Sequence, residues 1–124
     1  MNLIDSSAWL EYFIDGPNAS LFEPPLKNIE APVVPIISIY EVFKVLCRES
    51  GENIALQGLT AMQRGHVVHL TTELGKKAAV LSLRHALPMA DSIILAAARE
   101  FDALIWTQDA DFKGLDRVNF FEKK

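Results

Sequence analysis

Hydrophobic and polar positions in this chain switch repeatedly between the alternation of a strand and the three-to-four spacing of a helix. Asn2 to Asp5 reads as a short strand, and Ser7 to Phe13 as a helix capped by Ser6 or Ser7. Asp15-Gly16-Pro17-Asn18 is a turn, a short helix covers Ser20 to Leu26, and Pro24-Pro25 marks a turn too short to separate domains. Ala31 to Ile37 is β-rich but broken by Pro32 and Pro35, which predicts a strand with irregular ends. Ser38 is placed to cap a helix running to about Glu49, with Gly51 just beyond its end. Within it Ile39, Val42, Phe43 and Leu46 form one apolar stripe.

The same grammar continues to the end. Glu52 to Arg64 is a weaker helix stopped by Gly65, Val67 to Leu70 a short strand, and Thr72 to Ala86 a helix. Pro88 opens a further helix that runs to Phe101. Ala103 to Thr107 reads as a central strand and Val118 to Phe121 as a final one. Short strands alternating with helices predict an α/β fold: a twisted parallel sheet with helices on both faces, three layers in all. Function in such sheets gathers beyond the carboxyl ends of the strands, where Asp5 and Asp109 both fall.

Bulk properties narrow the class. A chain of 124 residues, half of them hydrophobic and 23% charged, predicts one globular domain spanning residues 1–124. The single cysteine, Cys47, excludes an internal disulfide and fits a reducing compartment. The longest apolar helical run, Ile93 to Ala98, is far short of the ~20 residues that span a bilayer. With no basic leader before Leu3-Ile4-Asp5, the expectation is a soluble, cytoplasmic protein without a membrane partner. A net charge of −4 argues against broad non-specific nucleic-acid binding but leaves room for a local basic rim.

Four acids stand where this layout places element ends or inner faces: Asp5, Glu41, Asp91 and Asp109. Asp5 follows a strand, and it also fits a helix cap or Asx turn. Glu41 lies off the apolar stripe of its helix, beside Lys44 and Arg48, where a solvated Glu41–Lys44 pair would be expected. Stepping back by three from the core position Ile94 reaches Asp91, so a carboxylate occupies a core-facing place; first-turn stabilisation of the helix is its simpler reading. Asp109 follows Trp106-Thr107-Gln108, and Asp111 rivals it for any role. Parallel topology brings these positions to one edge. Two carboxylates about 4 Å apart repel by roughly 4 kcal/mol at an effective dielectric near 20, which Mg²⁺ or Mn²⁺ removes. Metal-assisted phosphodiester hydrolysis is one chemistry such a site serves.

Other candidates carry less. His66 and His69 point to opposite faces of a strand and have no second ligand pair. His85 reads as a helix-end residue, Cys47 as a small, partly buried side chain, and no phosphate-loop pattern exists. Trp9, Tyr12 and Phe13 could stack on bases but at helical spacing read as core or subunit interface. Lys44, Arg48, Lys76, Lys77 and Arg84 are candidates for a basic rim.

Four segments together resemble the PIN-domain ribonucleases, specifically the VapC-type toxins of prokaryotic toxin–antitoxin pairs: Leu3-Ile4-Asp5-Ser6-Ser7, the stretch Pro35 to Val42, the stretch Leu87 to Ala98, and Leu104 to Phe112. The resemblance spans essentially the whole chain. It implies that Asp5, Glu41 and Asp91 match the three main acidic positions, that Asp109 matches a more variable fourth, and that Ser7 and Thr107 match polar positions supporting the acids. Asp5 and Asp91 are the expected metal ligands, with Glu41, Asp109 and Asp111 as further candidates. Asp111, an extra acid beside Asp109, departs from the family pattern and leaves the fourth position open between the two. Mg²⁺ (or Mn²⁺), a single-stranded or looped RNA substrate, a homodimer and a cognate antitoxin blocking the cleft are what the resemblance implies for cofactor and partners. A PIN-fold regulatory module with little turnover, and a nuclease acting on DNA or structured junctions, are the alternatives.

Overall fold

The middle of the sheet is made first. In the computed structural model, which describes residues 1–124, β1 (Asn2–Ile4), β2 (Val33–Pro35), β3 (His66–Val68), β4 (Leu104–Thr107) and β5 (Val118–Phe120) form one sheet in the order β3-β2-β1-β4-β5. Every neighbouring pair is parallel. Six helices connect them: α1 (Ser6–Phe13), α2 (Glu23–Leu26), α3 (Ile36–Ser50), α4 (Glu52–Gln63), α5 (Thr72–His85) and α6 (Met89–Glu100). The α/β three-layer architecture expected from the alternating pattern is therefore the one observed.

Consecutive strand residues point to opposite faces, and the two cores follow from this. Leu3, Val33 and Ile105 join α5 and α6 in one apolar cluster, while Ile4 and Val34 join α1, α3 and α4 in the other. In α6 every residue from Asp91 to Ala98 is buried. A helix buried on all sides is apolar on all sides, so the run Ile93–Ala98 is a core helix. No single helix is long and apolar enough to cross a membrane.

Element boundaries shift in informative ways. β1 ends at Ile4, and Asp5 caps α1 by accepting from the Ala8 N–H at 3.0 Å, so neither Ser6 nor Ser7 is the cap. The β-rich run 31–37 yields only three strand residues. Helix α3 starts at Ile36 on the fixed φ of Pro35, and Ser38, expected as its cap, is buried inside the first turns without a hydrogen-bond partner for Oγ. A 3₁₀ turn (Ala19–Phe22) leads directly into α2, whose first turn accommodates Pro24 and Pro25. Gly51, at φ +90°, ends α3 and starts α4, as expected of a residue without Cβ.

Candidate metal centre

Asp5 is anchored from three sides. Its Oδ1 accepts from Ser7 Oγ at 2.8 Å and from the Ala8 N–H, and its Oδ2 accepts from Thr107 Oγ1 at 2.8 Å. It is 1% exposed. Burial pushes its carboxyl up to about 6; the bonds from Ser7, Thr107 and Ala8 pull the other way, and the charge of Asp109 adds to the rise. Ser7 and Thr107, expected as supporting residues, both hold this carboxylate.

Thr107 serves two acids at once. While its hydroxyl donates to Asp5, its oxygen accepts from the Asp109 N–H at 2.8 Å. Asp109 in turn caps a short 3₁₀ turn (Ala110–Phe112) by accepting from the Asp111 N–H at 2.9 Å. The loop after β4 is thereby curled so that Asp109 and Asp111 both face Asp91. Carboxylate oxygens of Asp91, Asp109 and Asp111 lie within 4.8 Å of one another. Asp111 thus stands in the same carboxylate group as Asp109.

Asp91 lies in the first turn of α6 and is 9% exposed, which matches its extrapolated core-facing position. Its carboxyl is pushed up to about 8, first by burial, then by the charge of Asp109, by a hydrogen bond that its protonated form gives to Asp111, and by the charges of Asp111 and Asp5. Three carboxylates with hard oxygen donors suit a hard divalent cation, not a soft-ligand metal. Asp91, Asp109 and Asp111 are close enough to share one ion, and Asp5, expected with Asp91 as a ligand, lies outside that group of three. No histidine enters the cluster.

Glu41 is placed differently from its local pattern. It is half-buried and accepts from Ser6 Oγ at 2.7 Å, so the solvated pair with Lys44 does not form. Lys44 lies over the Tyr40 ring instead. Ser6 adjoins Asp5, which sets Glu41 beside the cluster without joining the group of three. Trp9 is in the core, stacked on Phe13, and Tyr12 is at the surface.

One network escaped the reading of local pattern. Asn18, fully buried, donates through Nδ2 to Gln108 Oε1 at 3.1 Å and to the Glu122 carbonyl at 2.8 Å. Its own N–H is held by the buried carboxylate of Glu11. Gln108 stands between Thr107 and Asp109, and its N–H donates to Ser7 Oγ. Asn18 therefore clamps the acid-bearing loop from behind. In the sequence it appears only as the last residue of a turn.

Replacing Thr107 by Val keeps the shape but removes the donor to Asp5 and the acceptor for Asp109. A loss of about 1–3 kcal/mol is expected, read as a lower urea midpoint at unchanged slope, with Thr107→Ser recovering most of it.

The geometry can be set beside known proteins. No curated protein sequence matches this chain. Among solved structures, a toxin–antitoxin complex from Klebsiella pneumoniae superposes with a TM-score of 0.82 at 19% identity, covering 98% of this chain and 99% of that one. VapC20 of Mycobacterium tuberculosis, a Sarcin-Ricin loop cleaving toxin, gives 0.79 at 18% identity, covering 96% and 99%. VapBC2 from Rickettsia felis, bound to a promoter DNA fragment, gives 0.74 at 12% identity, covering 98% and 97%. At such identities the likeness is one of fold. The family model of the PIN domain matches residues 3–118, nearly the whole chain. This match, on a five-stranded parallel sheet with its acids gathered at one edge, establishes that the chain belongs to the PIN domain family.

Proposed function

We propose that this chain is a divalent-cation-dependent endoribonuclease and the toxin of a toxin–antitoxin pair, with residues 1–124 acting as one nuclease domain. The observation that carries this reading is the convergence of Asp91, Asp109 and Asp111 within 4.8 Å, bordered by a buried Asp5. Asp91 pushed up to about 8 is a site short of positive charge at neutral pH. Asp91, Asp109 and Asp111 would hold a divalent cation, which would supply that charge and the Lewis acidity that phosphodiester hydrolysis needs.

The chain's own groups have separable tasks. Asp91, Asp109 and Asp111 hold the cation; Asp5, fixed by Ser7, Ala8 and Thr107, keeps a carboxylate at the border of that group, in place to accept a proton or orient a water. Glu41, steadied by Ser6, stands beside that group as an acceptor for a second water or ion. No serine or histidine nucleophile is needed. The identity of the fold neighbours supports the rest: one is a Sarcin-Ricin loop cleaving toxin and another is a toxin–antitoxin complex. An antitoxin that masks the acids, and a second copy of the chain, are the partners this reading includes.

The test is cleavage of total cellular RNA by antitoxin-free protein. Discrete fragments are expected with Mg²⁺ or Mn²⁺ and none with EDTA. Absence of any metal-dependent cleavage, on RNA or on DNA, would transfer the chain to a regulatory role exercised through its partner; preferential cutting of DNA would change the substrate class.

A further inference from the structure

A nuclease whose centre is built of carboxylates, on a chain of net charge −4, must still draw in a polyanion. The helix that carries Glu41, α3, bears on its exposed surface a device suited to this. Tyr40 directly precedes Glu41 and is 60% exposed. The Lys44 ammonium stands 5.6 Å from the centre of that ring. Its neighbour Glu41 does not neutralise it, since that carboxylate is turned to Ser6. Arg48 continues the row, four residues on again, paired only with the exposed Glu49 at 2.9 Å. Residues spaced by four share one helix face, so ring, ammonium and guanidinium line up along it. The opposite face of α3 is locked in the core by Val42 and Leu46, so the row is presented on a rigid support.

We propose that Tyr40, with Lys44, forms a binding subsite for single-stranded RNA: an unpaired base stacks on the Tyr40 ring and the adjoining phosphate meets the Lys44 ammonium. The subsite rests on the nuclease reading above and assigns residues of this chain to holding its RNA. A ring open to solvent accepts any base face, whereas a base held inside a duplex cannot reach it, so the expected preference is for unpaired over paired RNA. Lys44 does double service, because a cation already lying against the ring is poised to shift to a phosphate when a base arrives.

The experiment is steady-state cleavage of a short single-stranded oligonucleotide carrying a site that the wild type cuts in total RNA. Tyr40→Ala is expected to raise KM about 10- to 100-fold with little change in kcat, and Tyr40→Trp to restore KM. Lys44→Gln is expected to lower the slope of log KM against log salt by about 0.7, the loss of one phosphate contact on a single strand; Tyr40→Ala leaves that slope unchanged. Tyr40→Trp also provides a readout without turnover: its fluorescence should be quenched by a single-stranded uridine 12-mer and not by a duplex of equal length. Quenching without cleavage by any variant would overturn the nuclease reading and keep the subsite. If the wild type cuts RNA while Tyr40→Ala and Lys44→Gln keep its KM within twofold, or if Tyr40→Leu serves as well as Tyr40→Trp, the subsite is wrong. An unchanged KM together with weaker hold on the antitoxin would assign this face to a protein partner and equally overturn it.

Discussion

Replacing Asp91 with Asn is expected to abolish RNA cleavage and, at the same time, to make the metal-free protein more stable at pH 8. The two effects have one cause. Asp91 lies within 4.8 Å of Asp109 and Asp111 in a buried setting, and its carboxyl is pushed up to about 8. Its folded value thus exceeds its ordinary 3.8, so its contribution to stability is whole below pH 3.8 and is lost as pH rises through about 8. Asn carries no charge at any pH and escapes that loss. The gain at pH 8 should be about 1–2 kcal/mol after solvent screening is allowed for, and it should vanish near pH 4, where the wild-type carboxyl is protonated. Cleavage falls because the group of three loses a ligand. If the cation contributes several kcal/mol to the transition state, at about 1.4 kcal/mol per tenfold, the loss is about 10³-fold or more. Paired thermal melts at pH 4 and pH 8, beside an RNA cleavage assay, check both halves. An Asp91→Asn variant that cuts at the wild-type rate would remove Asp91 from the centre.

Cation binding should stabilise the folded chain, and should do so only where the acids are ionised. At a concentration 100 times its dissociation constant a ligand specific for the native state adds about 2.7 kcal/mol, which for a chain of this length is a rise in Tm of about 10 °C. The expected observation is a shift of this size with Mn²⁺ at pH 8, reversed by EDTA. At pH 5 protons occupy Asp91 (about 8) and much of Asp5 (about 6) and compete with the ion, so the shift should shrink to below about 3 °C. Without metal the order reverses. Moving the Asp5 carboxyl from 3.8 to about 6 corresponds to about 3 kcal/mol at full ionisation, so the bare protein should melt higher at pH 5 than at pH 8. A metal-induced shift that did not depend on pH would place the ion away from these carboxylates.

How far the sequence could be read depended on the range of the interaction that decides each feature. The strands and helices were legible because their apolar period is local, and Asp91 was legible because the stripe of α6 could be extended back by one step. The parallel sheet followed from alternation. Glu41 was misread as solvated because its partner, Ser6, lies 35 residues away; nothing in the spacing of α3 reveals it. The clamp formed by Asn18 and Gln108 joins residues 90 apart and is equally silent in any local window. Asp111 entered the cluster through the tight turn that Asp109 caps, so both acids of the Asp109-Ala110-Asp111 segment face one way. Ser38 looked like a cap because serine is favoured there. Pro35 took the place instead, since its fixed φ starts the helix ahead of the serine.

The order of strands bears on how a cell makes such a protein. β1 is the first strand synthesised and the middle of the sheet, yet Thr107, whose hydroxyl orients Asp5, arrives 102 residues later. At roughly 5–20 residues per second, the nascent chain carries Asp5 for about 5–20 s before its partners exist. On the nuclease reading, a growing polypeptide therefore has no complete centre until residues 107–111 have been made. The same arrangement makes loss of activity genetically easy: a stop codon anywhere before residue 107 deletes at least Asp109 and Asp111.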